Sequence, residues 1–250
     1  MAAPFEFSPT FIDDHTEKVG IDIRPVIEYK LDRHKLFEFG NKLVDKYPNL
    51  FESLVQSPSE FLIRKKFIFP GKGEIDLPTM AVSQRGPVFI FPRKIVAFEE
   101  ETDLDRSDVI VVDCLKIFRD TFPGKKALRI GQVNEYIFST AQLDSTKLIS
   151  DRFTQIPVPP NGEIRLRINC PSDDYNRVIE LEAVRKIEPV PEIPGKEQTK
   201  GYGVKITVDF NNREMSKDLD TDDIRRILHK ASEYNQNNLY QFLNGSSEGE

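Results

Sequence analysis

The chain has no tryptophan, two cysteines and three histidines in 250 residues. Two thiols cannot build the disulfide framework of a small secreted protein. Cys114 and Cys170 therefore read as reduced, buried thiols of a cytosolic protein. His15, His34 and His229 lie far apart, and neither C-x-x-C nor H-x-x-x-H spacing occurs. Catalytic zinc usually takes three protein ligands, so no metal is expected. Apolar runs are short as well. A membrane-crossing helix needs about 20 apolar residues in succession, whereas Val109-Ile110-Val111-Val112 is stopped by Asp113. No membrane contact is expected. Met1 to Phe7 show neither a basic segment nor an apolar one, which predicts no secretory signal and a cytoplasmic location.

Several catalytic and cofactor patterns are incomplete. Gly71-Lys72-Gly73 and Pro123-Gly124-Lys125-Lys126 complete neither G-x-x-x-x-G-K-[ST] nor G-x-G-x-x-G. They read as a hairpin loop and a helix C-terminus. There is no G-x-S-x-G around a serine. Asp218-Leu-Asp220-Thr-Asp222 opens like an EF-hand loop, but Asp223 stands where glycine is needed and His229 where the bidentate glutamate is needed. Acids at a helix N-terminus are the better reading. Asp13-Asp14, Glu99-Glu100-Glu101 and Asp173-Asp174 are adjacent acids at element ends, and the lack of tryptophan removes the usual sugar platform of a glycosidase. No catalytic residue and no cofactor is expected.

What is present is a balanced, globular composition. Hydrophobic residues make up 38% and charged residues 30%, which excludes a disordered chain. The 35 basic and 41 acidic residues leave a net charge of −6, which argues against nucleic acid as the main partner. Residues 1–20 mix proline, phenylalanine and acids without a period and read as an arm. Residues 21–155 form a first α+β unit. It begins with a strand at 21–31, whose Pro25 suggests a sheet edge. Asp32 N-caps the helix that follows, with Leu36, Phe39, Gly40, Leu43 and Tyr47 on one stripe. A turn of helix is expected at 50–55, then strands through Phe61–Phe69, Met80–Val82, Val88–Phe91 and Ile95–Phe98. A buried helix starts near Asp105 or Ser107, and a strand at 128–138 changes phase near Gly131, suggesting a bulge or bend.

Residues 156–243 read as a second, β-β-β-α unit. Ile164, Leu166, Ile168 and Cys170 alternate with Glu163, Arg165, Arg167 and Asn169, which predicts one buried and one wet face. Val204, Ile206, Val208 and Phe210 repeat the pattern. The final helix starts at Asp220 or Thr221 and turns Ile224, Ile227, Leu228, Ala231, Tyr234, Leu239 and Phe242 inward. Residues 244–250 are expected to be a disordered tail. Strands joined by short turns predict α+β architecture, with mostly antiparallel sheet, helices packed on one face and a long C-terminal helix.

Three patches carry a resemblance. They are Pro25-Val26-Ile27-Glu28, then Arg129-Ile130-Gly131 with Asn134, and Ile206-Thr207-Val208-Asp209-Phe210 with Ile227-Leu228-His229-Lys230-Ala231. In this order the chain resembles a sporadically distributed bacterial family of uncharacterised proteins of similar length. It departs from that family at Gln132-Val133-Asn134-Glu135, where the family carries a basic and an aromatic residue, and in lacking tryptophan. The resemblance implies an α+β fold and no chemistry.

The most informative exposed feature is the basic strand face. Arg165 and Arg167, joined by Lys186 and Lys205 from neighbouring strands, are the candidate ligand or phosphate contacts. Glu163, Glu180 and Glu182 share the region, so cross-strand Arg–Glu pairing is the favoured reading. The expected function is that of a non-enzymatic binding protein whose partner is another protein or itself. Phe5, Phe7, Phe11 and Ile12 in the arm motivate a homodimer. The alternatives are a small-ligand binder or enzyme with its site between sheet and final helix, and nucleic-acid binding through the basic face. The ligand spacing yields one prediction. Exhaustive dialysis against a chelator leaves the melting temperature unchanged, as scanning calorimetry will show; a large drop would reveal a structural metal.

Overall fold

Alternating apolar residues and short turns build nine strands in the computed structural model, which describes residues 7, 16–28, 30–56, 60–69, 73–93, 107–141, 144–154, 156–159, 162–189 and 197–245. The strands are β1 (Thr16–Ile27), β2 (Ser53–Gln56), β3 (Glu60–Phe69), β4 (Gly73–Ser83), β5 (Gly86–Arg93), β6 (Ala127–Ala141), β7 (Arg165–Pro171), β8 (Tyr175–Pro189) and β9 (Glu197–Asn212). They form one sheet in the order β2-β3-β4-β5-β1-β6-β9-β8-β7. Every pairing in it is antiparallel. Strands from 21–155 and from 156–243 meet in the β6–β9 ladder, which runs from Gly131↔Asn211 to Ala141↔Tyr202. The Ile95–Phe98 segment lies outside the described residues.

The first strand differs from expectation in extent and in place. It spans Thr16–Ile27, so the end of the expected arm is strand, and it lies in the middle of the sheet between β5 and β6. Pro25 is therefore no edge marker. The β1–β5 register ends at Ile23↔Phe89, and extended by two pairs it sets Pro25 opposite Pro87. Neither residue has an N–H to donate, so the two prolines share a single gap in the ladder. Beyond the gap the Ile27 amide donates to the Arg85 carbonyl at 3.3 Å. Residues 50–55 also differ. The Leu50 and Phe51 amides close a turn on the Tyr47 carbonyl, and Ser53–Gln56 then pair with β3 as a short edge strand.

Helices cover one face of this sheet. Helix α1 (Arg33–Lys46) is capped by Asp32, whose carboxylate accepts from the His34 and Lys35 amides at 2.8 and 3.2 Å. Helix α2 (Ser107–Thr121) buries Ile110, Val111, Val112, Cys114, Leu115 and Phe118. The two helices meet where Phe118 stands edge-on to Phe39, ring centroids 5.7 Å apart. Helix α3 (Ser145–Ile149) runs into a wider π turn at Ser150–Thr154. The long C-terminal helix α4 comprises Thr221–Glu233, a π turn at Tyr234–Asn238 and Leu239–Leu243. That π turn adds a residue to the helical repeat. Leu239 and Leu243 are buried as a result, and Phe242, expected inward, is only half-buried.

The phase change in β6 has a different origin from a bend. The β1–β6 register runs unbroken across Gly131, with its irregularities at Thr16/Lys18 and Val26/Ile27, and the β6–β9 ladder begins at Gly131 and shifts only at Ser139/Ala141. The helix-facing positions 130, 132, 134, 136, 138 and 140 are buried throughout, but two of them are amides. Gln132 Nε2 donates to Asn134 Oδ1 at 2.9 Å, and Asn134 Nδ2 donates to the Tyr136 hydroxyl at 3.2 Å. That hydroxyl donates to Asn235 Oδ1 at 3.4 Å, and Asn235 Nδ2 donates to the Ala231 carbonyl at 2.7 Å. Buried amides are tolerated because they bond to one another. Gly131 is required by closeness on the other face, where an added Cβ would lie 3.2 Å from both Asn211 Cβ and Asp209 Oδ1.

Ahead of β1 the arm is described only at Phe7, which is buried in its own chain. Its ring stands edge-on to Phe138 at 6.1 Å, its amide donates to Asn244 Oδ1 at 2.9 Å, and the Arg152 guanidinium lies over it at 5.2 Å. Phe5, Phe11 and Ile12 lie outside the described residues, as do 246–250 of the expected tail.

On β7 the alternation holds but the depth does not. Leu166, Ile168 and Cys170, with Ile164 just ahead of the strand, are half-buried because β7 is the last strand in the sheet, whereas Val204, Ile206 and Val208 are fully buried. The two classes separate in a stability experiment. Ile206→Ala should cost about 2–5 kcal/mol in urea unfolding, the range for a buried aliphatic truncation. Leu166→Ala should cost about half as much, since only part of its surface leaves water. Equal costs would mean that β7 is covered.

Candidate functional site

Cys114 and the carboxylates of Asp113, Asp218, Asp220 and Asp223 are engaged here in packing, clamping and capping. Cys114 is buried in α2, and desolvation pushes its thiol far up, so it stays protonated and inert. Asp113 accepts from Lys46 Nζ at 2.6 Å and from the Tyr47 hydroxyl, and Lys46 first and Tyr47 second hold its carboxyl below the ordinary range. This clamps α1 to α2. Among the described residues no three His, Cys, Asp or Glu side chains gather as a metal ion would need. No helix among them is long and apolar enough to cross a membrane.

The acidic stretch before α4 is a set of caps. Asp220 accepts from the Asp222 and Asp223 amides at 2.9 and 2.8 Å, and Asp223 reaches back to the Asp220 amide at 3.4 Å. Asp218 Oδ1 accepts from the Ala127 amide at 2.9 Å and lies 3.4 Å from the Arg119 guanidinium, tying the stretch to β6 and α2. Asp223 also receives Lys217 at 2.6 Å and Arg226 at 2.9 Å. Asp218, Asp220 and Asp223 thus each accept a backbone amide, and Asp218 and Asp223 also face cations, so these three carboxylates are engaged within the fold.

The expected contact residues come together on the sheet face opposite the helices. Arg165 and Arg167 project from β7 there, 65% and 67% exposed. In the register they stand opposite Glu182 and Glu180 of β8, and these stand opposite Lys205 and Thr207 of β9. Arg165 approaches Glu180 Oε2 at 2.6 Å and Arg167 approaches Oε1 at 3.2 Å, so one carboxylate serves two guanidiniums. The hydrogen bond that Arg165 donates to Glu180, the charge of Glu180 and then that of Glu182 hold the Arg165 guanidinium above its ordinary value. Lys205 pairs across the next ladder with Glu135 of β6 at 2.8 Å. The side chain of Lys186 lies outside the described residues. Signs therefore alternate from strand to strand, and the arginines end the series.

Glu135 belongs to this surface and was not singled out from the sequence. Its place follows from the β6–β9 pairing, which joins residues about seventy positions apart. A period-2 reading of β6 that admitted Gln132 and Asn134 as inward residues would have put Glu135 on the wet face.

The chain matches no protein-family model, and no curated protein and no solved structure matches it.

The caps predict an acid response. Lys217 first, with the Asp220 amide and Arg226 behind it, holds the Asp223 carboxyl below its ordinary 3.8. A lowered folded-state value adds stability that is complete above the ordinary carboxylate range and is lost as pH falls through the folded value. Asp223→Asn should lower stability at neutral pH and flatten the loss below about pH 4, measured by urea midpoints across the acid range.

Proposed function

We propose that this chain is a cytoplasmic, non-enzymatic binding protein that contacts a protein partner through the open face of its sheet. The observation that carries the reading is the one-sided cover. Helices bury one face, while the other presents the ordered charge rows that end in Arg165 and Arg167. A rim of this kind supplies orientation and partner choice more than raw affinity. The Cys114 thiol and the Asp113 and Asp223 carboxylates serve packing, clamping and capping, which supports a role without catalysis. Glu135, Glu180 and Glu182 among the cations argue against a polyanion groove.

Two measurements test the reading. A photo-crosslinking residue at Thr207, in the middle of the open face, should give a discrete protein adduct in extract of the source cells. The same residue at Lys116, exposed on α2, should give none. Adducts from position 116 alone, or none from position 207, would contradict the proposal. On heparin the chain should elute without retention at about 0.1 M salt; retention that falls steeply with salt would favour nucleic acid.

A further inference from the structure

We infer that the outer edge of β7 takes an extended segment of a partner protein, added as a tenth strand, with carboxylates at the positions facing Arg165 and Arg167. The inference builds on the reading above and assigns the partner's chemistry and mode of contact.

Backbone geometry comes first. The Ala183 amide donates to the Ile164 carbonyl at 3.1 Å, so 164 and 183 form a hydrogen-bonded pair. Such pairs recur at every second residue of an antiparallel ladder. In the β7–β8 register the bonded pairs are therefore Leu166–Leu181, Ile168–Ile179 and Cys170–Arg177. The N–H and C=O groups of Arg165, Arg167 and Asn169 point the other way, to the side where no strand of the described residues lies. Three residues thus present a template for strand addition, and Pro171 closes it by lacking an N–H.

Side chains define what fits. On the open face the sign runs Lys205, Glu182, Arg165 from β9 to β7, and among the described strands the outermost member has a cross-strand carboxylate on its inner side alone. A strand added outside it sets a side chain about 5 Å from each arginine, where opposite charge is favoured and like charge is not. On the helix face Leu166 and Ile168 are half-buried and offer an apolar shelf to the intervening residues. The matching segment alternates acidic and apolar side chains.

A second copy of β7 is a poor occupant by the same geometry. Ladder bonding allows odd residues to pair only with odd residues. Centring the pair on Leu166 sets Arg165 against Arg167 of the other copy twice, and centring it on Arg167 sets Arg167 against itself. Centring on Ile168 puts Pro171 opposite Arg165 and loses a bond at each end, and centring on Asn169 shortens the overlap to five residues.

The test uses the full chain and a labelled seven-residue peptide alternating Glu with Val, read by fluorescence anisotropy. Binding should weaken at least tenfold for the Arg165→Gln, Arg167→Gln double variant. Arg167→Pro should weaken it as much, since this removes an outward N–H while the bonds to β8 stay, and circular dichroism should show both variants folded. A peptide with Lys in place of Glu should bind at least tenfold more weakly, and so should the Glu peptide N-methylated on its ladder-facing amides. Equal binding of the Lys or the N-methylated peptide would overturn the inference, as would an unchanged affinity in both variants. Absence of Glu-peptide binding would overturn it too; a persisting crosslink from position 207 would then leave the binding reading intact, and loss of both would end both. Sedimentation showing a dimer dispersed by Arg167→Pro would assign the edge to a second copy and overturn it equally.

Discussion

The ladder between β6 and its two neighbours, β1 and β9, is the contact on which the remaining structure depends. β1 alone with β5 would end one sheet, and β9 alone with β8 would end another. Each would leave a row of unpaired amides. Joined through β6 they make a single surface whose inward face is long enough to seat all the helices. Asn212 locks the end of this junction. Its Oδ1 accepts from the Ile130 amide at 2.9 Å and its Nδ2 donates to the Leu128 carbonyl at 3.2 Å. The same union leaves the opposite face bare and pushes β2 and β7 to the rims. β2 is blunted by being four residues long, whereas β7 is longer and carries two arginines.

The amides in the middle of β6 show how a polar core position is made safe. A buried amide without a partner costs roughly as much as a buried aliphatic contact returns. Gln132, Asn134, Tyr136 and Asn235 avoid that cost by a chain in which each donates to the next. The chain ends on the carbonyl of Ala231, beside the π turn. A relay of this kind accepts one alignment of the last helix against the sheet and penalises its neighbours. The extra residue of the π turn then carries Leu239 and Leu243 to the core.

Local rules made much of this legible. Strict alternation at 164–170 and 204–210 identified both strands and their wet sides, and Asp32 and Asp220 cap the helices they precede. The departures came where the deciding partner is distant in sequence. Pro25 looks like an edge residue until Pro87 is opposite it. Gln132 and Asn134 look outward until Asn235 closes their chain. Leu166 looks buried until the strand order among the described residues leaves β7 without an outer neighbour. For the charged open face, the pattern identified Arg165, Arg167 and Lys205, while Glu135 as the partner of Lys205 emerged only from the long-range pairing.

The central claim is that β7 is an open edge whose arginines, not a covering strand, meet solvent. Hydrogen exchange resolved at single amides tests it most directly. The amides of Leu166, Ile168 and Cys170 should be protected by their bonds to β8, and those of Arg165, Arg167 and Asn169 should exchange at rates near those of an unstructured chain. Protection of both sets in the isolated chain would show the edge already occupied and contradict the account.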